Sequence, residues 1–496
     1  MNAAPAPTDP AWVRRTDLRL RPDPTRVVRT LFLPGQELLA SGESRSSAVL
    51  GRVLALSDAE VDAELAALAS SFARRHRGLP ETWDAHFGLM RHRLVGAAQL
   101  PENRRRLIGA YFTQEYAVEG AALFNPSMVP HPDQRGLPEG ATRFVMTLRA
   151  VGDGHLSGME LRTGVIDADD VVRLDVAPGV GVLPVTRPAH YSRDAFQHRL
   201  DDLGGDRANS DFVLGTLPST FERRDLDRAL DDLRAQRLTR GAAVRTIDRF
   251  EWIADCTYEV EFPADSTVGE RVLLPHGPSE SRGLEDVRMV RFRAPDGDVE
   301  YLGAYTGFDG RDVSIQLLRT RDFVRFSATP LSGPGARNKG LALFPRQVGG
   351  RYLAMSRADR ESNSVAESVD LVHWEEPVVV QRPEQPWELV QLGNCGPPIE
   401  TDRGWLVLTH GVGPMRTYAL GALLLDLEDP RRVLGRLARP LLTPAADERS
   451  GYVPNVVYSC GAMRHADTLV VPYGCSDSTT RVALVDLPAL LEELRP

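Results

Sequence analysis

Two kinds of hydrophobic pattern divide the chain. Apolar residues recur at helical spacing in the segments SDAEVDAELAALASSFARRHRGL, PETWDAHFGLMRHRLVGAAQL and ENRRRLIGAYFTQEYAVEGAAL. Ser57 followed by Glu60 has the form of a capping box. The pattern therefore predicts helices over residues 57–123, whose apolar stripes need a partner surface. The two dozen residues at the N-terminus are Pro-rich and polar and predict an extended arm, after which RVVRTLFL predicts one strand.

Past Phe124 the hydrophobic period becomes two. The segments TRFVMTLRAV, VEYLGAYTGF, DVSIQLLRT, GRYLAMSRAD, GWLVLTHGV, YALGALLLDL and DTLVVPYGC predict short strands. A helical stretch near residues 192–242 interrupts them and predicts an insertion. The chain is thus predicted to be mainly β, with an N-terminal arm and helical segment over residues 1–123 that pack on a β domain over residues 124–496.

A weak internal repeat indicates which β architecture applies. DDVVRL at 169, RDFVRF at 321 and VDLVHW at 369 share one pattern, and the last two lie 48 residues apart. This spacing is typical of a β-propeller blade of roughly 40–50 residues, whereas the strands of a sandwich do not recur as a unit. Chance similarity stays open, because the motifs are short. In a propeller, the inner strands of all blades end around one central channel.

Composition and charge limit the classes of function. With 42% hydrophobic residues and a formal charge of -9 spread without long blocks, we expect a globular protein without a nucleic-acid or membrane partner. The cysteines Cys256, Cys395, Cys460 and Cys475 form no CxxC pair, so neither a metal site nor a disulfide framework is predicted. Because no signal-peptide-like or bilayer-spanning run is present, we expect a cytoplasmic protein.

The segment SRGLEDVRMVRF raises the first chemical question. Glu285, Asp286 and Arg288 stand between a glycine and a run that alternates like a strand. Carboxylates at a strand edge are costly unless they are exposed, paired or used in chemistry. By itself the segment favours a surface turn with a satisfied ion pair.

Other polar residues stand at predicted strand ends or in turns: Asn125, Arg149, Asp153, Arg337, Asn338, Lys339, Arg357, His410 and Asp477. Each has a structural explanation. Arg149 and Arg357 can close blades by pairing with acids, and His410 can be a satisfied histidine on a buried strand. Taken together, however, a few carboxylates and several permanent cations near strand ends indicate a functional site.

The motifs NPS, GLEDVR, RNKGLALFP, GYVPNVVY, LLDLEDP, THGVG and YGCSD resemble the signature segments of glycoside hydrolase family 130, the inverting β-mannoside phosphorylases and β-mannosidases. The resemblance runs from about Phe124 to about Asp486. It implies a five-bladed β-propeller, in agreement with the repeat.

The resemblance also implies roles for individual residues. Asp286 corresponds to the general acid, which in the phosphorylases protonates the glycosidic oxygen through a sugar hydroxyl, and Arg288 would hold Asp286 in place. The positions that resemble the phosphate contacts of the family are Arg337, Asn338, Arg357, His410 and Gln391. Those that resemble contacts to the mannosyl ring are Asn125, Arg149 and Asp477, and Glu285 is a further candidate for binding a sugar hydroxyl.

Two positions depart from the pattern of the family. Gln391 stands where the phosphorylases typically carry a lysine, and EDVR replaces EDPR. Losing one cation weakens the predicted phosphate site by about 1–2 kcal/mol. A hydrolase that activates water with a second carboxylate therefore remains an alternative, with Glu361, Glu388 and Glu400 as candidates.

The expected activity is phosphorolysis of a β-mannosidic bond to give α-mannose 1-phosphate. Its partners are a small oligosaccharide and inorganic phosphate as co-substrate, and no metal or organic cofactor is implied. A catalytically silent propeller that binds glycans is the alternative from another class. The helical segments have two possible further roles, as a wall at the channel mouth or as a contact in a homo-oligomer.

Overall fold

The protein is described by a computed structural model that covers residues 9–35, 38–39, 42–94, 96–237 and 241–494. These residues fall into two compact units. The helical unit comprises residues 23–120 and 178–183, and the β unit comprises the rest. The N-terminal arm up to residue 22 therefore belongs to the β unit, which differs from the predicted boundary at residue 123.

The strands, numbered in chain order, are β1 Val13–Leu20, β2 Val27–Leu31, β3 Thr113–Ala117, β4 Ala122–Pro130, β5 Thr142–Val151, β6 Ser157–Ile166, β7 Val172–Leu174, β8 Val185–Arg187, β9 His190–Ser192, β10 Thr220–Glu222, β11 Tyr258–Glu261, β12 Val272–Leu273, β13 Gly283–Arg293, β14 Val299–Phe308, β15 Val313–Thr320, β16 Arg325–Pro330, β17 Ala342–Leu343, β18 Tyr352–Ser356, β19 Asn363–Ser368, β20 Val378–Gln381, β21 Gln391–Asn394, β22 Ile399–Thr401, β23 Gly404–Val412, β24 Tyr418–Leu425, β25 Val433–Arg436, β26 Val457–Tyr458, β27 Met463–His465, β28 Thr468–Cys475 and β29 Thr479–Asp486. The predicted strands are confirmed, and the chain is mainly β.

The helices are α1 Arg45–Leu54, α2 Asp58–Phe72, α3 Leu79–Met90, α4 Glu102–Tyr111, α5 Arg193–Asp202, α6 Arg207–Thr216, α7 Arg223–Arg237, α8 Gly241–Cys256 and α9 Leu487–Glu493. In the described part of the chain, none of them is long and apolar enough to cross a membrane.

The helical unit confirms part of the sequence prediction. Helix α2 begins with the predicted capping box, in which Ser57 and Glu60 cap each other. The prediction that the third helical segment runs to residue 123 is wrong, because α4 ends at Tyr111. Residues 113–117 form β3 instead, and β3 pairs with β2 in antiparallel register. The packing of the helical segment on the β unit stays a prediction.

Most strands of the β unit fall into five groups, each antiparallel within itself; β9 and β10 form a separate pair, and the short strands β7, β12, β22 and β27 pair with individual strands of the groups. Strand groups 1 to 5 have the orders β4-β5-β6, β13-β14-β15-β16-β11-β8, β17-β18-β19-β20, β21-β23-β24-β25 and β26-β28-β29-β1. Groups 1 and 2 join through one parallel pair, Gly283 with Ser157. In group 5 the N-terminal β1 pairs with β29 near the C-terminus. The predicted arm is thus an outer strand that ties the two ends of the chain together.

The sequence repeat at 321 and 369 corresponds to one turn structure. Asp322 accepts hydrogen bonds from the amides two and three residues later, and Asp370 does the same. The residue after each aspartate, Phe323 or Leu371, has a positive φ. Both turns lie at the end of the third strand of their group, after β15 and β19. The repeat therefore records equivalent positions in groups 2 and 3.

The predicted helical insertion is longer than its sequence pattern suggested. Helices α5 to α8 span residues 193–256, whereas the prediction ended near 242. They surround a separate apolar cluster that includes Phe196, Leu230 and Phe250. We call residues 193–256 the helical insertion. It belongs to the β unit and precedes β11 directly.

Candidate active site

Polar side chains from all five strand groups meet at one cavity of about 220 Å³. Its walls are formed by Asn125, Arg149, Asp286, Arg288, Lys339, Arg357, Gln391, His410, Arg416, Tyr418, Val453, Val456, Tyr458 and Asp477. We call it the Asp286 cavity. Eight of the predicted site residues lie here: Asn125, Arg149, Asp286, Arg288, Arg357, Gln391, His410 and Asp477.

Asp286 and Asn125 reach the cavity from irregular points in two strands. The register of β13 shifts between Glu285 and Arg288, and that of β4 shifts between Phe124 and Ser127. At these bulges Asp286 has φ 57° and Asn125 has φ 50°. Left-handed backbone is unfavourable for residues other than glycine, although Asn and Asp tolerate it best. Such bulges re-aim side chains at functional sites.

The Asp286 carboxylate is held by hydrogen bonds from two directions. Asn125 Nδ2 donates to Asp286 Oδ1 over 2.8 Å, and Arg149 Nη1 lies 3.5 Å from the same oxygen. Burial alone would raise the pKa of Asp286. The charges of Arg149 and Arg288, the Asn125 hydrogen bond and Lys339 outweigh burial and lower the pKa below its ordinary value. Without substrate, therefore, Asp286 is ionised at neutral pH.

Glu285, next to Asp286 in the chain, is not among the residues that line the cavity. Its two carboxylate oxygens accept hydrogen bonds from Arg149 Nη2 over 2.6 Å and from Lys339 Nζ over 2.5 Å. Glu285 therefore pairs with two cations, Arg149 and Lys339, both of which line the cavity. The predicted contact of Glu285 with a sugar hydroxyl stays a prediction.

Arg288 is buried with 2% of its surface exposed. Its Nη1 donates to the Asp286 carbonyl over 3.0 Å and its Nη2 donates to the Tyr458 hydroxyl over 2.8 Å. Arg288 thus holds the backbone of Asp286, in line with the prediction that it fixes this residue. Burial raises the pKa of Tyr458 and keeps the hydroxyl protonated.

The side chains of Arg357 and His410 form a hydrogen bond in the cavity wall. Arg357 Nη1 lies 3.1 Å from His410 Nε2. Burial and the charges of Arg357 and Arg288 hold the pKa of His410 well below its ordinary value, so the imidazole is neutral. Since guanidinium groups only donate, His410 Nε2 accepts this hydrogen bond. His410 adds no positive charge, and among the described residues Arg357 has no carboxylate partner.

A glycine makes the close approach of these two side chains feasible. A Cβ atom on Gly393 would lie 2.7 Å from His410 Cε1 and 2.8 Å from Arg357 Cδ. Gly393 pairs with His410 between β21 and β23, two residues after Gln391. The sequence motif LGNCGPP therefore supplies the space that Arg357 occupies.

Arg416 enters the cavity from the turn between β23 and β24. Met415 and Arg416 have consecutive positive φ values of 57° and 54°. Gly413 and Thr417 close the turn through a hydrogen bond of 3.0 Å. Arg416 has no carboxylate within ion-pair distance in the described ranges, and the neighbouring Tyr418 ring stacks on His410 with centroids 6.0 Å apart. A second unneutralised guanidinium group is thus present in the cavity wall.

Asp477 supplies the second carboxyl group of the wall. It lies in the hairpin between β28 and β29, where Ser476 and Asp477 have φ values of 47° and 49°. Burial and the negative charge of Asp286 raise the pKa of Asp477 to about 6, against the opposing charges of Arg149 and Arg416. The two carboxyl groups of the cavity therefore differ in pKa, which is raised for Asp477 and lowered for Asp286.

Two predicted phosphate contacts do not line the cavity. Arg337 is exposed. Asn338 has a left-handed backbone, with φ 61°. Its side chain makes hydrogen bonds within the protein: Nδ2 donates to the Ala358 carbonyl, and Oδ1 accepts from Arg360 Nε over 3.0 Å. The left-handed turn at Asn338 directs the next residue, Lys339, into the wall. The motif RNK thus contributes its lysine rather than its arginine.

The candidate second carboxylates also lie elsewhere. Glu388 is buried and accepts hydrogen bonds from the amides of Glu384 and Gln385, each over 3.0 Å. Glu400 pairs with Arg346 over 2.6 Å. Glu361 is exposed. In the described cavity wall the carboxyl groups are those of Asp286 and Asp477.

Several lining residues were not assigned a role from the sequence: Lys339, Arg416, Tyr418, Val453, Val456 and Tyr458. Lys339 and Tyr458 belong to the motifs RNKGLALFP and GYVPNVVY. These motifs indicated the family, but the sequence analysis did not assign a role to these two residues. Arg416 follows THGVG by three residues in a Gly-Pro turn. Only the strained turn brings it to the cavity, and the sequence does not reveal that turn.

The cavity as a whole is suited to a polar ligand that has many hydroxyl groups and a negative charge. Its wall holds five basic side chains, from Arg149, Arg288, Lys339, Arg357 and Arg416, and two carboxyl groups. Glu285, which is not a lining residue, pairs with Arg149 and Lys339, so the cations still exceed the carboxylates by two. Asn125 Oδ1, Arg149 Nε and Arg357 Nε are buried without a hydrogen-bond partner in the described structure. Unpartnered buried polar atoms are costly and are expected where a ligand completes them. The fold and the cavity thus define a mainly β protein with a polar, net basic binding pocket.

Comparison with known proteins gives the family. The model of glycoside hydrolase family 130, described as beta-1,4-mannooligosaccharide phosphorylase, matches residues 257–495. A 1,2-beta-oligomannan phosphorylase of Thermoanaerobacter sp. strain X514 is 37% identical over 215 residues, which are 42% of this chain and 70% of that protein. The chain belongs to glycoside hydrolase family 130, as its motifs indicated.

The relatives differ in the linkage that their names record. A beta-1,2-mannobiose phosphorylase of the same Thermoanaerobacter strain is 36% identical over 221 residues, covering 43% of this chain and 70% of that protein. A beta-1,4-mannooligosaccharide phosphorylase of Ruminococcus albus is 31% identical over 170 residues, covering 32% of this chain and 51% of that protein. The helical insertion lies outside the residues that the family model matches.

Proposed function

We propose that this protein is an inverting β-mannoside phosphorylase. It cleaves a β-mannosidic bond with inorganic phosphate and releases α-mannose 1-phosphate and a shortened sugar. The observation that carries the proposal is the presence of Arg357 and Arg416, two guanidinium groups without carboxylate partners in the described structure, in the same cavity wall as Asp286. The family membership and the names of the relatives support it.

Phosphate binds at the side of the cavity formed by strand groups 3 and 4. Arg357 and Arg416 bind its oxygens through charge-assisted hydrogen bonds, and Lys339, which also pairs with Glu285, offers a further ammonium donor. Gln391 contributes an amide donor without charge. His410 orients Arg357 rather than contributing charge, because the imidazole is neutral. The cations missing from the predicted set, Arg337 and a lysine at position 391, are thus replaced by Lys339 and Arg416.

The mannosyl ring binds at the side formed by groups 1, 2 and 5. Asn125, Arg149 and Asp477 offer donors and acceptors to its hydroxyl groups there. Asp286 faces the ring from the bulge of β13. Phosphate approaches the anomeric carbon from the face opposite the leaving oxygen, which inverts the configuration.

Asp286 must carry a proton when the bond breaks, although it is ionised in the free protein. Binding of a phosphate dianion adds negative charge beside Asp286, and the sugar displaces water. Both effects raise the pKa of a carboxyl group. The proton then passes from Asp286 through a sugar hydroxyl to the departing glycosidic oxygen, while a phosphate oxygen forms the new bond to the anomeric carbon. Such a positioned acid contributes roughly 10²–10⁴-fold.

The five strand groups are proposed to be the five blades of a β-propeller. The support is their number, the antiparallel order within each group, and the convergence of residues from all five at one cavity. Pairing of β1 with β29 places strands from both ends of the chain in the last blade. Radial arrangements of this kind leave short, protected edges.

A hydrolase is the second candidate, because one observation favours it. Asp477, with a pKa raised to about 6, and Asp286, with a lowered pKa, are two carboxyl groups of different acidity in one cavity. Inverting hydrolysis requires an acid and a base of this kind. The unneutralised Arg357 and Arg416 favour phosphate over water as the nucleophile.

Product analysis separates the candidates. The purified chain is incubated with β-1,2- and β-1,4-mannobiose, with and without phosphate, and the products are followed by ³¹P and ¹H NMR. We expect α-mannose 1-phosphate only when phosphate is present, and equal activity after treatment with a metal chelator. Free mannose formed without phosphate would identify a hydrolase. Binding of the sugar without any product would identify a glycan-binding protein.

A further inference from the structure

A second cavity, of about 550 Å³, lies between the helical insertion and strand group 2. Its wall includes Trp252 and Asp248 from α8, Arg199 from α5, and Asp309 and Asp312 from the turn between β14 and β15. We call it the Trp252 cavity. It has no part in the chemistry described above.

The indole of Trp252 is held in place by the strands. The Arg199 guanidinium lies over the Trp252 ring, 5.3 Å from its centroid. The same guanidinium donates to the Leu331 carbonyl over 3.3 Å and to Ser314 Oγ over 3.3 Å. The aromatic surface therefore has a fixed position relative to group 2, although it belongs to the helical insertion.

The chemistry of the wall matches a saccharide. An aromatic ring offers an apolar face to the C–H groups of a sugar, and carboxylates accept hydrogen bonds from its hydroxyl groups. Asp312 is largely exposed, with 79% of its side chain accessible, and its nearest cation is Arg311 at 3.9 Å. Its carboxylate oxygens are thus accessible to a ligand. An aromatic surface with a few polar groups is typical of small-molecule sites.

The strand register relates this cavity to Asp286. Gly283 at the start of β13 pairs with Phe308, and Phe308 pairs with Val313. The turn that carries Asp309 and Asp312 therefore lies at the same end of group 2 as the start of β13. Strand β13 begins at Gly283, three residues before Asp286. The turn begins one strand spacing from β13, at the end of β14, and ends two spacings away, at the start of β15, which corresponds to roughly 5–10 Å.

The size of the Asp286 cavity makes an additional site useful. Its volume of about 220 Å³ is below the roughly 300–1,000 Å³ of typical ligand pockets. A cleaved mannosyl unit together with phosphate fills such a space, so any longer substrate extends beyond it. We propose that the Trp252 cavity binds the sugar units of an oligosaccharide that lie beyond the bond cleaved at Asp286, and thereby favours oligomannosides over disaccharides. This rests on the proposed function, and it assigns the helical insertion a role in substrate choice.

Variants of the Trp252 cavity test the proposal. Trp252→Leu and Asp312→Asn are compared with the wild type and with Asp298→Asn, an exposed acid at the opposite end of the hairpin between β13 and β14. Values of kcat/KM are measured for β-mannosides of two, three and four units. We expect the disaccharide values to change less than about twofold and the longer substrates to lose about fivefold or more. Equal changes for all chain lengths, or none, would overturn the proposal.

A binding measurement separates this proposal from the proposed activity. The tetrasaccharide and the disaccharide are titrated calorimetrically into Asp286→Asn protein with and without Trp252→Leu, and the melting temperature shows that each variant is folded. Weaker binding of the tetrasaccharide alone in the double variant supports the site, even if the wild type releases no sugar phosphate. Unchanged tetrasaccharide affinity in the folded double variant contradicts it.

Discussion

Asn125 Nδ2 donates a hydrogen bond of 2.8 Å to Asp286 Oδ1, and both residues have a left-handed backbone at a bulge of their strands. The two residues lie 161 positions apart. Each bulge interrupts the regular alternation of its strand and points one polar side chain into the cavity. Two strained positions that support one carboxylate are difficult to explain by folding stability alone, because regular strands would be less costly.

Replacement of Asp286 by asparagine tests its role as the acid. The amide keeps the shape but carries no transferable proton, so we expect kcat to fall by roughly 10²–10⁴-fold. The measurement is the rate of sugar phosphate release at saturating phosphate. Circular dichroism and sugar affinity are expected to stay close to the wild type. Activity comparable to that of the wild type would contradict the assigned role.

Two substitutions of Asn125 separate the backbone from the hydrogen bond. Both Asn125→Gly and Asn125→Ala remove the donor to Asp286, and we expect both to reduce kcat to a similar extent. Glycine tolerates φ 50° without strain, whereas alanine does not. Urea unfolding is therefore expected to show the alanine variant less stable than the glycine variant by about 1 kcal/mol. Equal stabilities would show that the bulge relaxes in the alanine variant.

Arginine variants test the position of the phosphate site. Arg357→Gln removes a charged donor in a partly buried place, so we expect the KM for phosphate to rise by about 10- to 100-fold. Arg416→Gln is expected to act in the same direction but less, because Arg416 is more exposed and more screened.

Arg337→Gln is the matched control, because Arg337 is exposed and does not line the cavity. We expect its KM for phosphate to match the wild type, and the KM for the mannoside to change little in all three variants. A rise of the phosphate KM in Arg337→Gln alone would show that the sequence assignment was right and the structural one is not.

The raised pKa of Asp477 predicts a pH dependence of stability. Its folded pKa of about 6 lies above the ordinary aspartate value, so the unfolded chain loses this proton more easily. The stabilising effect is complete below about pH 4 and is lost as pH rises through about 6. We expect Asp477→Asn to gain about 2–3 kcal/mol in unfolding free energy relative to the wild type between pH 4 and pH 7.5. A difference between the two proteins that does not change with pH would contradict the shift.

Much of the fold follows from the hydrophobic pattern. Strands such as β5, β14 and β23 alternate clearly, and the repeat at Asp322 and Asp370 marks equivalent turns. The end of α4 was missed, because residues 113–117 suit a helix by composition and form β3 only through pairing with β2. Pairing between distant segments is not encoded in local spacing, and the same reason explains why the arm was not recognised as β1.

Part of the candidate site was predictable from the motifs. Asp286, Arg149 and His410 stood in recognisable segments, and the structure brings them to one cavity. The choice of Lys339 over Arg337 depends on the left-handed turn at Asn338, which the letters RNK do not specify. The contribution of Arg416 likewise depends on two consecutive positive φ values. Such backbone details decide which cation reaches a ligand.

The most direct test of the account is a crystal structure of Asp286→Asn protein soaked with phosphate and mannobiose. We expect the phosphate oxygens within hydrogen-bond distance of the Arg357 guanidinium, with the mannosyl ring between the anion and residue 286. A phosphate bound away from Arg357, or on the same side of the ring as residue 286, would contradict the proposed mechanism.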